Sequence, residues 1–286
     1  MSLTYLATPI WRYYDVRAAQ AMVATIATRA PADDIYWEAL DGDALIFRSR
    51  SILASKMLRE PMLEGADIMV ILDDDVQFLP DDLEKIIRQA RELQEPVGGI
   101  YVTRSREPHI ASLLWPGQSI LFGPGQELVN VRYLATGFMA VPRIVLEKML
   151  MHPGFQTVHG TEPLIFYEQG VGDTPLWDFF RPFGIREGDT LRAAGYENHD
   201  ERNHILSEDW AFCERARQCG FQIWADPTII LQHRAVVSVT VNDLGVKHGM
   251  LSTEGAPAQG RSVLAVAGRE TIGSQQESLV ATTEKT

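Results

Sequence analysis

The chain has 286 residues, enough for one large α/β domain or two small ones. Its apolar and charged fractions, 45% and 22%, are those of an ordinary globular protein. A formal net charge of −12 argues against broad electrostatic binding to nucleic acid or to an anionic membrane, though not against a local basic groove.

Met1 to Thr8 lack a basic region followed by a long apolar core, so no signal peptide is expected. No stretch is long and apolar enough to span a bilayer. A cytoplasmic protein fits both features. Leu3 to Ala7 is expected as a short strand, stopped by Thr8-Pro9. Asp15 can cap a helix from Val16 to about Arg29, with Ala19, Met22, Val23 and Ile26 as its apolar stripe. Ile35 to Leu40 alternates enough for a second strand. Ser49 or Ser51 can cap the next helix, which ends near Pro61.

Ile68 to Leu72 then forms an apolar run that ends in Asp73-Asp74-Asp75. Such a run is expected as a buried strand. In open α/β sheets, ligands bind beyond the carboxyl ends of the strands. Three adjacent acids there repel one another unless a cation sits among them, and hard divalent cations take oxygen ligands. A metal site at Asp73 to Asp75 that serves a phosphate-bearing substrate is one reading; a solvated acidic loop is the other.

Pro80-Asp81-Asp82 opens a well-marked helix, with Leu83, Ile86, Ile87, Ala90 and Leu93 on its buried face. Val97 to Val102 is a further strand. The first hundred residues thus alternate strand and helix, the pattern of a parallel, doubly wound sheet. Residues 103–135 are expected as hairpins or loops. Thr136-Gly137 precedes a strand, where glycine permits a close backbone approach or a sharp bend. A helix follows from Ile144 to Met151. Residues 152–206 hold Phe155, Phe166, Tyr167, Trp177, Phe179, Phe180, Phe183 and Tyr196 with little periodicity, and are expected to cap the sheet.

Ser207 can cap a helix that begins Glu208-Asp209-Trp210 and stops at Gly220. Cys213 and Cys219 lie six apart on it, on different sides, so no mutual disulfide is expected. Phe221 to Trp224 and Thr228 to Leu231 are expected as short strands, with His233 just beyond. Residues 1–240 form the expected domain. Residues 250–286 lack pattern and are expected as a mobile tail.

In order and spacing these segments resemble glycosyltransferases of the GT-A fold, in particular the family-two-like group. Leu72-Asp73-Asp74-Asp75 looks like the family's Asp-x-Asp motif, and Thr136-Gly137-Phe138 like its glycine loop. Ser207-Glu208-Asp209-Trp210, with Arg215 further along the helix, resembles its x-Glu-Asp motif. Gln232-His233 resembles its C-terminal metal-binding histidine, and the segment from Arg48 through Arg50 an Arg-containing helix start. The resemblance spans Leu3 to His233. It implies a GT-A fold, with a mostly parallel central sheet flanked by helices and an aromatic-rich cap at 152–206 on the acceptor side.

The resemblance also implies a chemistry. A nucleotide-diphospho-sugar, with a UDP-sugar favoured, donates its sugar to an acceptor hydroxyl, expected on a glycan. Mn²⁺ or Mg²⁺ offsets charge on the departing diphosphate. Asp75 and His233 are the expected metal ligands, with Asp73 on the metal or the ribose. The pairs Asp73–Asp75 and Asp74–Asp75 both stay open. Thr8, Arg50, Asp74 and Gly137 are expected near the nucleotide, with Arg50 able to pair with phosphate. Asp209 matches the general base of inverting members, and Glu208 would contact the acceptor.

Alternatives are a virus-type enzyme that glycosylates modified DNA bases, which the acidic charge disfavours, and a non-catalytic nucleotide-sugar binding protein. A nucleotidyltransferase needs a Gly-rich loop after the first strand, where Thr8-Pro9-Ile10-Trp11-Arg12 has no glycine. An Asp-nucleophile phosphatase needs Thr or Val where this chain has Gln77.

Overall fold

The computed structural model describes residues 3–28, 34–104, 109–160, 162–168, 172–196, 202–234 and 264–266. Its first strand, β1 (Leu3–Ile10), buries Tyr5, Leu6 and Ala7 completely. Then follow α1 (Val16–Thr28), β2 (Asp34–Asp41), α2 (Ile46–Arg59) and β3 (Ala66–Leu72). β1 runs parallel to both β2 and β3. It continues through Thr8 and Pro9, past the expected stop. Pairing with β3 ends at Ala7, so Pro9 sits where one side of the strand has become an edge.

Asp15 caps α1 as expected: Oδ1 accepts from the N–H groups of Arg17 at 2.9 Å and Ala18 at 3.3 Å. The buried stripe is Ala18, Ala21, Met22 and Thr25; of the expected stripe Met22 is buried, while Val23 and Ile26 face solvent. Two alanines let the helix lie close to its neighbours. Thr25 can be buried because its hydroxyl donates to Ala21 O at 2.9 Å. α2 is also a correction. It starts at Ile46, after Asp43, whose Oδ1 accepts from the Leu45 N–H at 2.9 Å. Ser49, Ser51 and Ser55 lie buried within it. Ser51 Oγ accepts from the Phe180 N–H at 3.2 Å and Ser55 Oγ from the Trp177 N–H at 2.7 Å, so these serines dock a distant segment.

The acidic turn leads into β4 (Val76–Gln77), α3 (Pro80–Leu93) and β5 (Val97–Gly98). Asp82 accepts from the Leu79 N–H at 3.0 Å and holds the start of α3. Leu93 is exposed, outside the buried face of Leu83, Ile86, Ile87 and Ala90. β5 is shorter than expected; Val102 makes only an isolated bridge to Ile110. β6 (Ile120–Phe122), β7 (Val129–Val131), β8 (Phe138–Pro142), α4 (Arg143–Met151) and α5 (Pro153–His159) come next. The hairpin of β9 (Leu164–Glu168) with β10 (Gly172–Leu176) follows, then β11 (Phe183–Arg186), α6 (Glu187–Ala193) and β12 (Asn203–Leu206). The described chain ends with α7 (Glu208–Gln218), β13 (Ile223–Ala225), β14 (Gln232–His233) and β15 (Leu264–Val266).

The central sheet has the order β2-β1-β3-β8-β5-β13-β7. β2, β1, β3, β5 and β13 share one direction; β8 and β7 oppose it. The mostly parallel sheet is as expected; β8 inserts antiparallel between β3 and β5. Strand alternation divides the core. Tyr5, Ala7, Met69, Ile71 and Met139 face α2, α4 and α7, while Leu6, Ile68, Val70, Leu72 and Phe138 face α1 and α3. The result is a large, mostly parallel sheet with helices on both faces.

Residues 152–206 are more than a cover. Phe155, Trp177, Phe179 and Phe180 belong to the main core cluster, and Phe180 stacks on Phe212 with centroids 4.5 Å apart. The side chain of Tyr167 lies outside the described residues. Residues 228–231 form no strand; Thr228 instead bonds Asp226 Oδ1 through its N–H at 2.9 Å and its hydroxyl at 2.6 Å. Most of the expected mobile tail lies outside the described residues, but Leu264–Val266 pairs in parallel with β6. Among the described residues, no helix is long and apolar enough to cross a membrane. Phe180→Ala should cost about 3–5 kcal/mol in urea unfolding, as for a large residue of a closed core. A loss under about 1 kcal/mol would mean that residues 177–180 pack only loosely.

Candidate functional site

The site begins at the carboxyl end of β3. The Asp73 N–H donates to Gly137 O at 2.9 Å, which ties the acidic turn to the start of β8. Gly137 is required there: a Cβ would lie 2.5 Å from Asp73 Oδ2 and 2.5 Å from the Tyr101 hydroxyl oxygen. That hydroxyl accepts from the Gly137 N–H at 3.1 Å. Tyr101 was not singled out by the sequence. Only its place at the end of the β5 run hinted at it.

Arg50 joins three elements. Its side chain is only 2% exposed, yet it reaches two distant carboxylates. One terminal nitrogen donates to Asp73 Oδ1 at 2.7 Å and Oδ2 at 2.9 Å. The other donates to Asp209 Oδ1 at 2.5 Å and lies 3.5 Å from Glu208. A desolvated guanidinium needs such partners, since an unpaired buried charge costs several kcal/mol. In this structure both terminal nitrogens of Arg50 are taken by carboxylates.

Asp209 stands in the first turn of α7, which Ser207 precedes as N-cap residue without a side-chain cap bond. Asp209 Oδ1 also accepts from the Thr136 hydroxyl. No described residue bonds its Oδ2, and the side chain keeps 19% of its exposure. One oxygen is therefore anchored and the other open. Burial, with Asp209 beside it, pushes Glu208 above the usual carboxylate range. Burial also raises Asp73, with Asp209 and Asp75 adding to it against the pull of Arg50.

Asp75 meets different partners. β14 pairs antiparallel with β4, and this two-residue ladder sets His233 opposite Val76. His233 Nε2 lies 3.3 Å from Asp75 Oδ1. On the other side of the ring, Nδ1 donates to Val102 O at 2.8 Å. Although burial opposes it, the bonds to Asp75 and Val102 raise His233, so Nε2 turns a proton toward Asp75; a metal ion held here would take the place of that proton, with the Nδ1 bond as outer support. Arg104 pairs with Asp75 from solvent, a partner with no local signal in the chain. Although burial opposes it, bonding to His233 and Arg104 holds Asp75 below the usual range.

Among the described residues, no group of three or more His, Cys, Asp or Glu is arranged to hold a metal. Asp75 and His233 form a two-residue donor set. That fits a divalent ion whose other ligands are diphosphate oxygens and water, as such ions bind in phosphate sites. Asp73 turns both oxygens to Arg50, so it stands apart from that pair.

Asp74 and Thr8 point elsewhere. Burial, then Asp75 and Asp73, raise Asp74 to about 6. Thr8 is fully buried in β1, and its Oγ1 accepts from Trp37 Nε1 at 3.1 Å. Trp37 and Tyr14 lie with ring centroids 6.1 Å apart, beside the exposed Trp11 and Tyr13. Thr8 thus supports an aromatic rim rather than presenting its hydroxyl. The structure brings together Arg50, Asp73, Gly137, Glu208 and Asp209, and next to them Asp75 and His233.

No family model matches the chain, and no curated protein matches it. Among solved structures, the crystal structure of A197 from STIV is similar over 82% of this chain and 87% of that one, at 15% identity and a TM-score of 0.47.

Arg50→Lys should lower stability by about 2–4 kcal/mol in urea unfolding, because an ammonium cannot span both carboxylates as a fork does. An unchanged midpoint would mean that the buried bridge carries no stability. Asp74 gives a pH signature. Its folded value lies above the unfolded one, so the native state holds the proton more tightly. Its contribution is largest at low pH and falls as pH rises from about 4 to about 6. Asp74→Asn should therefore stabilise the protein at pH 7.5 by about 1–2 kcal/mol after solvent screening, and by much less at pH 4. An equal effect at both pH values would contradict the assignment.

Proposed function

We propose that the protein is a metal-dependent glycosyltransferase of the GT-A fold that moves a sugar from a nucleotide-diphospho-sugar to an acceptor hydroxyl with inversion. The observation that carries this reading is that two groups of side chains stand at the carboxyl end of β3. Asp75 lies beside His233 there, a pair that would hold a divalent ion. Asp209, tied to Asp73 through Arg50, keeps one open carboxylate oxygen.

The chemistry needs both. Expulsion of a nucleoside diphosphate builds negative charge on the leaving group, and Mn²⁺ or Mg²⁺, when bound, supplies Lewis-acid stabilisation of that charge. Asp75 and His233 would hold the ion, with His233 oriented by Val102 O. Asp209 Oδ2 would take the proton from the acceptor hydroxyl as that oxygen attacks the anomeric carbon. Arg50 and Thr136 fix the carboxylate through Oδ1, so the open oxygen has a defined direction. Glu208, pushed up by burial, would carry a proton more readily and could hydrogen-bond an acceptor oxygen. The exposed aromatic rim near Asp74 offers a flat surface to the nucleotide base. The resemblance to family-two-like glycosyltransferases suggests a UDP-sugar as donor and a glycan as acceptor.

Two substitutions separate binding from transfer. Asp75→Ala should abolish metal-dependent donor binding, read as the loss of the rise in Tm given by nucleoside diphosphate with Mn²⁺. Asp209→Asn should keep that rise and slow transfer by about 10²–10⁴-fold, the usual worth of a general base. Transfer at the normal rate by Asp209→Asn would remove the base assignment. Donor binding without turnover in the unmodified protein would favour a non-catalytic nucleotide-sugar binder.

A further inference from the structure

A cavity of about 370 Å³ opens between α4, α5, β11 and the end of α7. It is separate from the acidic cluster. Arg215, on its wall, follows Asp209 by six residues, which is about 240° around the helix and about 9 Å along it. Among the described residues, the cavity's lining includes two arginines and a histidine and no Asp or Glu. In a chain with 38 acidic and 26 basic residues, this is a local reversal of charge.

The cations there are incompletely paired. Arg215 has no carboxylate within ion-pair distance among the described residues. Its terminal nitrogens donate to the carbonyls of Phe179 at 2.9 Å and Arg181 at 2.7 Å. Its guanidinium lies 4.6 Å from the centroid of the Phe183 ring. Burial lowers it to about 10, the mark of a desolvated and undercompensated charge. Arg181, 54% exposed, has Asp178, at 3.8 Å, as its ion-pair partner among the described residues. Asp178 interacts with both arginines but lies outside the lining, and burial raises it. His152 Nδ1 accepts from the Gly154 N–H at 3.2 Å, so a neutral ring carries its proton on Nε2, a further donor. Phe155 and Phe183 supply apolar walls.

We propose that this cavity is a second ligand site, for a small organic anion whose carboxylate or phosphate is held by Arg181 and Arg215 and whose flat apolar body lies against Phe155 and Phe183. A few convergent donors on an otherwise apolar concavity are the usual make-up of a small-molecule site. The guanidinium fork suits either headgroup.

Cys219 lines the cavity and is partly accessible, whereas Cys213 is fully buried. Maleimide labelling of Cys219 therefore reports occupancy. Phenyl phosphate and benzoate, each at about 10 mM, should slow labelling about threefold, and benzyl alcohol and inorganic phosphate should slow it less. Protection by one aryl anion and not the other supports the site and identifies its headgroup. Arg181→Glu, a change at an exposed side chain, should abolish protection. Asp75→Ala should leave it intact, which separates this site from the proposed donor site. No slowing by either aryl anion, or slowing that survives Arg181→Glu, would overturn the proposal. Equal protection by benzyl alcohol would overturn the anionic ligand, and equal protection by inorganic phosphate would overturn the apolar body.

Discussion

One buried cation organises the candidate site. Arg50 leaves the middle of α2, loses nearly all contact with water, and meets Asp73 after β3 and Asp209 at the start of α7. Neither acid would be held so close to the other without it, since like charges in a low-dielectric pocket repel strongly. The guanidinium turns that repulsion into a fixed geometry. Three elements far apart in the chain are thereby held in register at one point.

The surrounding backbone is shaped to leave room for this contact. Gly137 has no side chain because Asp73 and Tyr101 occupy the space a Cβ would take. β8 lies antiparallel beside β3, so its first residue meets Leu72, the last before the acids. The short pairing of β14 with β4 brings His233 across from the far end of the described domain, and the Arg234 N–H donates to Asp75 O at 3.2 Å. Arg234 then pairs with Asp15, the cap of α1, so the same turn also anchors the first helix.

α7 connects the two concave regions. Its first turn carries Glu208 and Asp209, and its last turns carry Arg215 and Gln218 on the wall of the basic cavity. Between them Phe212, Cys213 and Ala216 are fully buried and hold the helix rigidly in the core. Residues 177–180 pack on this helix and are docked by Ser51 and Ser55 of α2. The region that looked like a separate aromatic cap is in part the material that fixes α7 against α2.

Local chemistry was legible in the sequence wherever it was periodic or punctuated. The run from Ile68 to Leu72, the Asp15 cap, the Pro80 helix start and the Gly220 stop each act over a few residues, and each stands where the pattern put it. Asp73, Gly137, Asp209 and His233 could be picked out by motif order, and the fold does gather them. Tertiary structure alone decided the rest. The stripe of α1 could not be read from apolarity, because Ala18, Ala21 and Thr25 are buried for their small size and satisfied hydroxyl. Ser51, a cap candidate by its local pattern, is a docking point together with Ser55, since their partners are more than a hundred residues away. The reversed strand β8 and the burial of Arg50 likewise depend on long-range pairing. A local pattern can specify a helix or a strand, but which charge is desolvated, and by which partner it is met, is set only when distant segments are packed together.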